Sequence, residues 1–353
     1  MKKTALLFLT LFSLHFAYGQ QVRNEILLPE IDGYELLKCD FHLHTVFSDG
    51  TVWPVFRVGE AWMEGLDVIA ITDHLEYTPK KDYIPVNHNA PYEIAEKAAA
   101  NVGILLIKGT EITKSMPPGH FNALFVKDAA KISNQDYKTA LREAKNQGAY
   151  VLWNHPGWKA QTPNGPQWLP EHQELFDEKL FQGVEVANHN EWYPEVLDWA
   201  KDKNLTVFSN SDAHDPIATF LQIENMRRRP ITLVISKSRS QEDIREALDA
   251  RRTIGWFGDL LLGNANWLEV VAKGSLTARL ITKGEKNYAL QLTNVTDLTF
   301  ELEFPAKSGS TAKLPPLSSV MVQMTGSPNQ LEVTIKNFLA ESKSPLKITL
   351  PVK

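Results

Sequence analysis

His42 and His44 stand two residues apart in the stretch FHLHTVFSDG, and Asp49 follows in the same stretch. Side chains alternate along an extended chain, so the two imidazoles share one face and can grip a single metal ion. Comparable groups recur: Asp73 and His74 in ITDHLEY, Glu111 in LIKGTEIT, His120 in GHFNALFV, His155 in LWNHPGW, and Asp212 with His214 in FSNSDAHD. Neutral imidazole combined with carboxylate suits zinc, manganese or iron. His42, His44, Asp49, His74, Glu111, His120, His155, Asp212 and His214 are too many for one tetrahedral ion. Two or three divalent transition-metal ions sharing a bridging carboxylate are therefore expected. Singly, each group has an ordinary explanation. An HxH arises by chance, an Asp-His pair caps helices and turns, and His155 before Pro156 can be a packed loop residue. Their joint placement on the secondary structure is what argues for a metal site.

That placement follows from the hydrophobic pattern. Short apolar runs of strand length occur at Leu36–Phe41, Asp67–Thr72, Gly103–Lys108, His120–Val126, Ala149–Trp153, Gly183–Ala187 and Leu205–Ser209. Helical periodicity separates most of them, at Pro54–Glu64, Tyr92–Ala100, Asp136–Asn146 and Tyr193–Lys203. Alternating strand and helix predicts an α/β fold with a parallel sheet, and seven runs fit a barrel better than an open sheet. Ile231–Ile235 and Gln241–Ala250 read as a closing strand and helix. In a parallel barrel the loops at the carboxyl ends of the strands converge on one axis, and the candidate ligands fall at strand ends or in the adjacent loops. Beyond about Gly255 the texture changes. Helical periods give way to short alternating runs at Leu268–Ala272, Thr277–Ile281, Tyr288–Leu292, Thr299–Phe304, Ser319–Met324, Leu331–Ile335 and Leu346–Leu350. These predict a small all-β, sandwich-like unit. The expected organisation is a segment at 1–19, a barrel at 20–254 and a β domain at 255–353.

Lys2 and Lys3, the apolar run Ala5–Phe16 and the small-x-small Ala17-Tyr18-Gly19 read as a secretory signal peptide. A periplasmic or secreted location is expected, with no membrane span after cleavage. The 353 residues carry 37 Lys and Arg against 42 Asp and Glu, with no basic run. Stable nucleic-acid binding is therefore not expected, since neutralising phosphates needs clustered cations. Cys39 is the single cysteine, which excludes an intrachain disulfide framework.

The ordered series HxH-x4-D, DH, Glu, His, NHP and DxH resembles the PHP (polymerase and histidinol phosphatase) superfamily over roughly residues 36–253. The stretches DGTVWPVFRV, ITDHLEYTP and MPPGHFNALFV are most similar to its secreted phosphodiesterase-like branch. The resemblance implies a distorted seven-stranded (β/α) barrel and a site of two or three metals. It assigns His42, His44, Glu111 and Asp212 to a first ion. Asp49, His74 and His214 go to a second ion, with Glu111 bridging or nearby. His120 and His155, with Glu111, go to a third. It implies metal-dependent hydrolysis of a small-molecule phosphoester, with a diester expected ahead of a monoester, by a hydroxide held between the first two ions. The alternatives are a histidinol-phosphatase-like phosphomonoesterase, an amidohydrolase-type metal hydrolase, and an inactive barrel acting as a binding protein.

Other residues have weaker claims. His189 and Arg57 are candidate substrate contacts, although a surface loop and a solvated helix face also explain them. Asp73 reads as a supporting partner rather than a ligand. Trp53, Trp153 and Trp158 could line an apolar pocket or fill the core. His88 could be a helix-entry residue or a pocket donor, and His172 is expected to be exposed.

Overall fold

The computed structural model describes residues 22–284, 287–305, 310–325 and 329–353. The expected signal segment at 1–19 lies outside them. The first half contains β1 Glu35–Asp40, α1 Pro54–Met63, β2 Val68–Ile71, α2 Ala90–Val102, β3 Leu105–Ile112, β4 Phe121–Leu124, α3 Tyr137–Asn146 and β5 Tyr150–Trp153. Then come α4 Pro170–Asp177, β6 Gly183–Asn188, β7 Glu191–Trp192, α5 Pro194–Asp202, β8 Thr206–Asn210, α6 Ile217–Ile223, β9 Ile231–Ser236, α7 Gln241–Asp249, β10 Thr253–Phe257 and β11 Leu260–Gly263. The helices start where local chemistry favours it. Pro54 occupies the first turn of α1, and the Asp136 and Ser240 side chains cap α3 and α7. Strands β2, β4 and β5 are buried along their whole length, as their predominantly apolar sequences favour.

β1, β2 and β3 pair in parallel, as do β5 with β6 and β6 with β8. β4 is the exception, running antiparallel to both β3 and β5. The reversal puts its first residues, next to His120, on the edge where the neighbouring strands end. The chain curls until the exit of β8 meets the exit of β1. Leu43 bridges Ala213 in parallel, and the Phe41 amide donates to Asn210 Oδ1 at 3.0 Å. On the other side of β1 lie β9 and then β10, both antiparallel.

The remainder holds α8 Ala265–Ser275, β12 Leu276–Lys283, β13 Asn287–Asn294, β14 Phe300–Phe304, β15 Ser310–Leu314, β16 Ser319–Thr325, β17 Gln330–Glu341 and β18 Ser344–Pro351. β12, β13 and β16 form one antiparallel sheet, and β15, β14, β17 and β18 form another ladder. The molecule is thus a mixed α/β unit with a C-terminal antiparallel β domain. One expectation needs correction: Leu268–Ala272 lies in α8, not in a strand. Position 254/255 falls within β10, and the sheet continues through β11 into β17. No helix among the described residues is long and apolar enough to cross a membrane.

Candidate metal centre

All nine expected ligands gather at one edge of the barrel. Their donor atoms form four overlapping groups, each with its atoms within 4.8 Å of one another: His44, Asp49, His74 and His214; His42, Glu111 and His155; His42, His44 and Asp212; and His74, Glu111 and His120. The sharing is wider than the resemblance implies, because His44 also reaches the Asp49 group. Glu111 is the hub. Its Oε2 lies 3.4 Å from Nε2 of both His42 and His44 and 2.8 Å from His74 Nδ1, while its Oε1 lies 2.9 Å from His120 Nδ1. Asp212 Oδ1 lies 3.2 Å from His42 Nε2 and 2.9 Å from His44 Nε2.

The backbone is shaped to make this possible. His155 and Asp212 adopt positive φ values of 30° and 52°, a region L-residues occupy at some cost and mostly at functional sites. A Cβ on Gly50 would lie 2.6 Å from the His44 carbonyl carbon, so only glycine lets the Asp49 loop fold back against the end of β1.

The residues fit metal ions on a direct test. His42 Nε2, His44 Nε2, Glu111 Oε2, His120 Nδ1 and Asp212 Oδ1 are buried and have no hydrogen-bond partner. Burying polar atoms unpaired is costly, and divalent cations shared among these groups would satisfy them. The charges agree. Burial acts to raise the Glu111 and Asp212 carboxyls, but the neighbouring histidines hold both well below the usual range. Burial, with cationic His214 and His74 nearby, pushes His44 down to about 3, leaving a neutral imidazole ready to ligate. Burial opposes protonation of His42 and His74. Asp212, Glu185 and Glu111 nevertheless raise His42 well above normal, and Glu111 and Asp49 carry His74 to about 10.

A second layer holds the ligands in place. Sequence reasoning missed its centre, Glu185 on β6. This fully buried carboxylate accepts from His42 Nδ1 at 2.9 Å, the His155 amide at 2.8 Å, and Nδ2 of Asn188 and Asn210 at 2.9 Å each. With its Nδ1–H committed to Glu185, His42 presents Nε2 to the cluster. The available signal was an acid in the middle of the apolar run GVEVAN. Asp73 takes the supporting place expected for it, accepting from the Thr45 amide at 2.7 Å and from Ser48 Oγ at 2.5 Å.

The remaining candidates divide. A cavity of about 730 Å³ lies over the cluster, lined by His189, Trp158, Tyr77, Lys114 and Lys159 among others. Arg57 does not line it. It is fully buried and donates to the carbonyls of His44, Ala213 and Asp215 and to Glu60, so it fixes the loops beneath the site instead of contacting substrate. Trp153 is buried in the core, and Trp53 is exposed without lining the cavity. His172 is buried, not exposed: it stacks on Trp153 at 3.9 Å and bonds the Pro118 carbonyl through Nε2 at 2.8 Å. His88 is half-buried and does not line the cavity.

No protein-family profile matches the chain. A curated but uncharacterized protein of Methanocaldococcus jannaschii is 37% identical over 196 residues, 51% of this chain and 83% of its own. A 5'-3' exoribonuclease of Haemophilus influenzae is 40% identical over 76 residues, 22% of this chain and 23% of its own. A crystal structure from Bacteroides vulgatus, of a two-domain protein containing a predicted PHP-like metal-dependent phosphoesterase, matches with a TM-score of 0.90 at 42% identity. That match covers 94% of this chain and 100% of the other. With the ordered ligand series assembled on one barrel edge, the chain belongs to the PHP-like metal-dependent phosphoesterases.

Proposed function

We propose that this metal-dependent phosphoesterase is an exported phosphodiesterase. The observation that carries the reading is the convergence of five buried, unpartnered ligand atoms beside a cavity roomy enough for a substituted phosphate. Divalent ions bound there would supply a nucleophile at neutral pH and neutralise charge on the non-bridging oxygens. The chain would hold them with His42, His44, Glu111 and Asp212, with Asp49, His74 and His214, and with His120 and His155. Asp49 gives the second set a hard oxygen donor, which favours manganese or iron over zinc. No side chain is then needed as nucleophile.

Diester preference has a charge argument. The lysines that line the cavity are Lys114, 2.6 Å from Glu76, and Lys159, 3.1 Å from Glu191. Each lysine is matched by a lining carboxylate, so little protein charge is left over for the second negative charge of a monoester. A monoanionic diester fits that balance better. Export, to the periplasm or beyond, rests on the amino-terminal segment with Lys2, Lys3 and the apolar run.

The test is hydrolysis of bis(p-nitrophenyl) phosphate and p-nitrophenyl phosphate in parallel by the manganese-loaded protein. The His42→Ala/His44→Ala double variant serves as control. Faster diester turnover that disappears in the variant is expected. Faster monoester turnover would move the chain to the phosphatase side of the family. With metal bound, failure on both substrates would overturn the diester reading in favour of an amidohydrolase or a binding role.

A further inference from the structure

We infer that Trp158 is a stacking platform for a planar aromatic substituent of the phosphoester, so the substrate class is aryl or nucleoside esters. The inference rests on the phosphoesterase reading and adds the chemistry of the organic group.

Trp158 is 42% exposed, which is high for an indole beside a catalytic cluster, and it lines the cavity. Its ring lies edge-on to His155 at 5.4 Å and tilted to His120 at 5.8 Å. Among the described residues these two imidazoles are its only aromatic neighbours. A phosphate held at the His120 and His155 end of the cluster therefore carries one of its substituents past the indole.

The backbone beneath the indole is pinned. The Trp158 amide donates to the His155 carbonyl at 2.9 Å, and the Trp158 carbonyl accepts from the amides of Gln161 at 3.0 Å and Thr162 at 2.8 Å. Gln161 Nε2 then bonds the Lys114 carbonyl and His120 Nε2, each at 3.1 Å. A Cβ on Gly157 would come within 2.4 Å of the Tyr193 ring, so glycine is what lets this turn lie flat on Tyr193. The indole is thus presented from a fixed turn one side chain away from two candidate ligands. A fixed, half-exposed indole offers a flat π-face, which suits a planar ring and gives little to a flexible alkyl chain.

The test measures binding, so it stands apart from turnover. Phosphonates are used because their C–P bonds resist hydrolysis. Phenylphosphonate is compared with methylphosphonate, and the 5'-methylene phosphonate of adenosine with that of ribose, each by calorimetry on the metal-loaded full chain. Wild-type protein should favour the planar member of at least one pair by ~10-fold, near the lower end of what one stacked base contributes. Trp158→Ala should abolish that preference while leaving affinity for the non-planar partner unchanged, and Trp158→Phe should restore part of it. The pair that responds separates an aryl from a nucleoside substituent. Equal binding within both pairs, or a preference that survives Trp158→Ala, overturns the inference and leaves the phosphoesterase reading standing. If no phosphonate binds, the inference is overturned, whereas the phosphoesterase reading is judged by the turnover assay.

Discussion

Glu185 touches no candidate metal position, yet it bonds His42 and the His155 amide from beneath. Its replacement by Gln keeps the volume and removes one acceptor oxygen, so two of its four donors lose their partner. Glu185→Gln should weaken manganese affinity by roughly 10- to 100-fold, the usual cost of losing a partner that orients a metal-binding histidine. Calorimetric titration checks it, and unchanged affinity in a variant with lowered thermal stability would reduce Glu185 to a core residue. Arg57 makes the complementary case. Its guanidinium lies 2.8 Å from Glu60, and both side chains are buried. Arg57→Met should cost about 3–5 kcal/mol in denaturant unfolding, because it strands a buried carboxylate and three carbonyls. KM should stay the same; a raised KM at unchanged stability would restore Arg57 as a substrate contact. The ligands could be read from the sequence because histidines and acids recur at successive strand ends. Glu185 could not, since one acid inside an apolar run has no spacing partner. The Arg57 pattern shows a helix face but not that the face packs against the carbonyls of two site loops.

The elements explain where the reading of the sequence succeeded and where it slipped. The apolar runs located the barrel strands because buried strands need continuous hydrophobic surface on both faces. Their direction was not written there. β4 reads from its sequence as one more buried strand, and its reversal appears only in the antiparallel pairing with β3 and β5. Leu268, Val270 and Ala272 alternate as a strand would, whereas the buried set is Leu268, Val271, Ala272 and Ser275, the i, i+3, i+4, i+7 face of a helix. The Asn264 side chain, accepting from the Asn266 amide, caps that helix and was the missed signal. The loop after β1 carries its own prediction. It returns through Gly50, and the Thr51 amide donates to the His214 carbonyl at 2.8 Å. Gly50→Ala would drive this loop off the His44 backbone and take Asp49 and His214 out of register with His74. The expected outcome is loss of one bound ion per chain with the others retained, read by elemental analysis after dialysis. A variant that keeps the full complement of ions would show that the loop does not form that set.

At the level of the whole molecule, the C-terminal β domain is part of the barrel's own sheet. β10 pairs with β9 on one side and β11 on the other, and β11 continues in parallel into β17 through Leu261–Phe338 and Leu262–Leu339. One apolar cluster runs from Leu43 and Ile69 in the barrel through Trp256, Leu261, Leu268 and Val271 to Phe300 and Phe338. Polar ties reinforce the junction: the Ser342 amide donates to Asp198 at 2.7 Å, and Lys313 pairs with Asp259 at 3.0 Å. A chain ending at residue 254 would lose most of β10, leave the β9 edge unpaired and strip the cover from these side chains. Each large apolar side chain returned to water costs about 1.5–3 kcal/mol, and several together exceed the stability of an ordinary domain. An unpaired apolar edge also invites pairing between copies. The truncated chain should therefore be recovered as aggregate, and extending it to residue 275 should not rescue it, because β11 would still lack β17. A monodisperse chain ending at 254 that still binds metal would show instead that the β domain is an appended module. The nine ligands of the barrel are contributed without it, so the two outcomes distinguish a domain that completes the fold from one that only accompanies it.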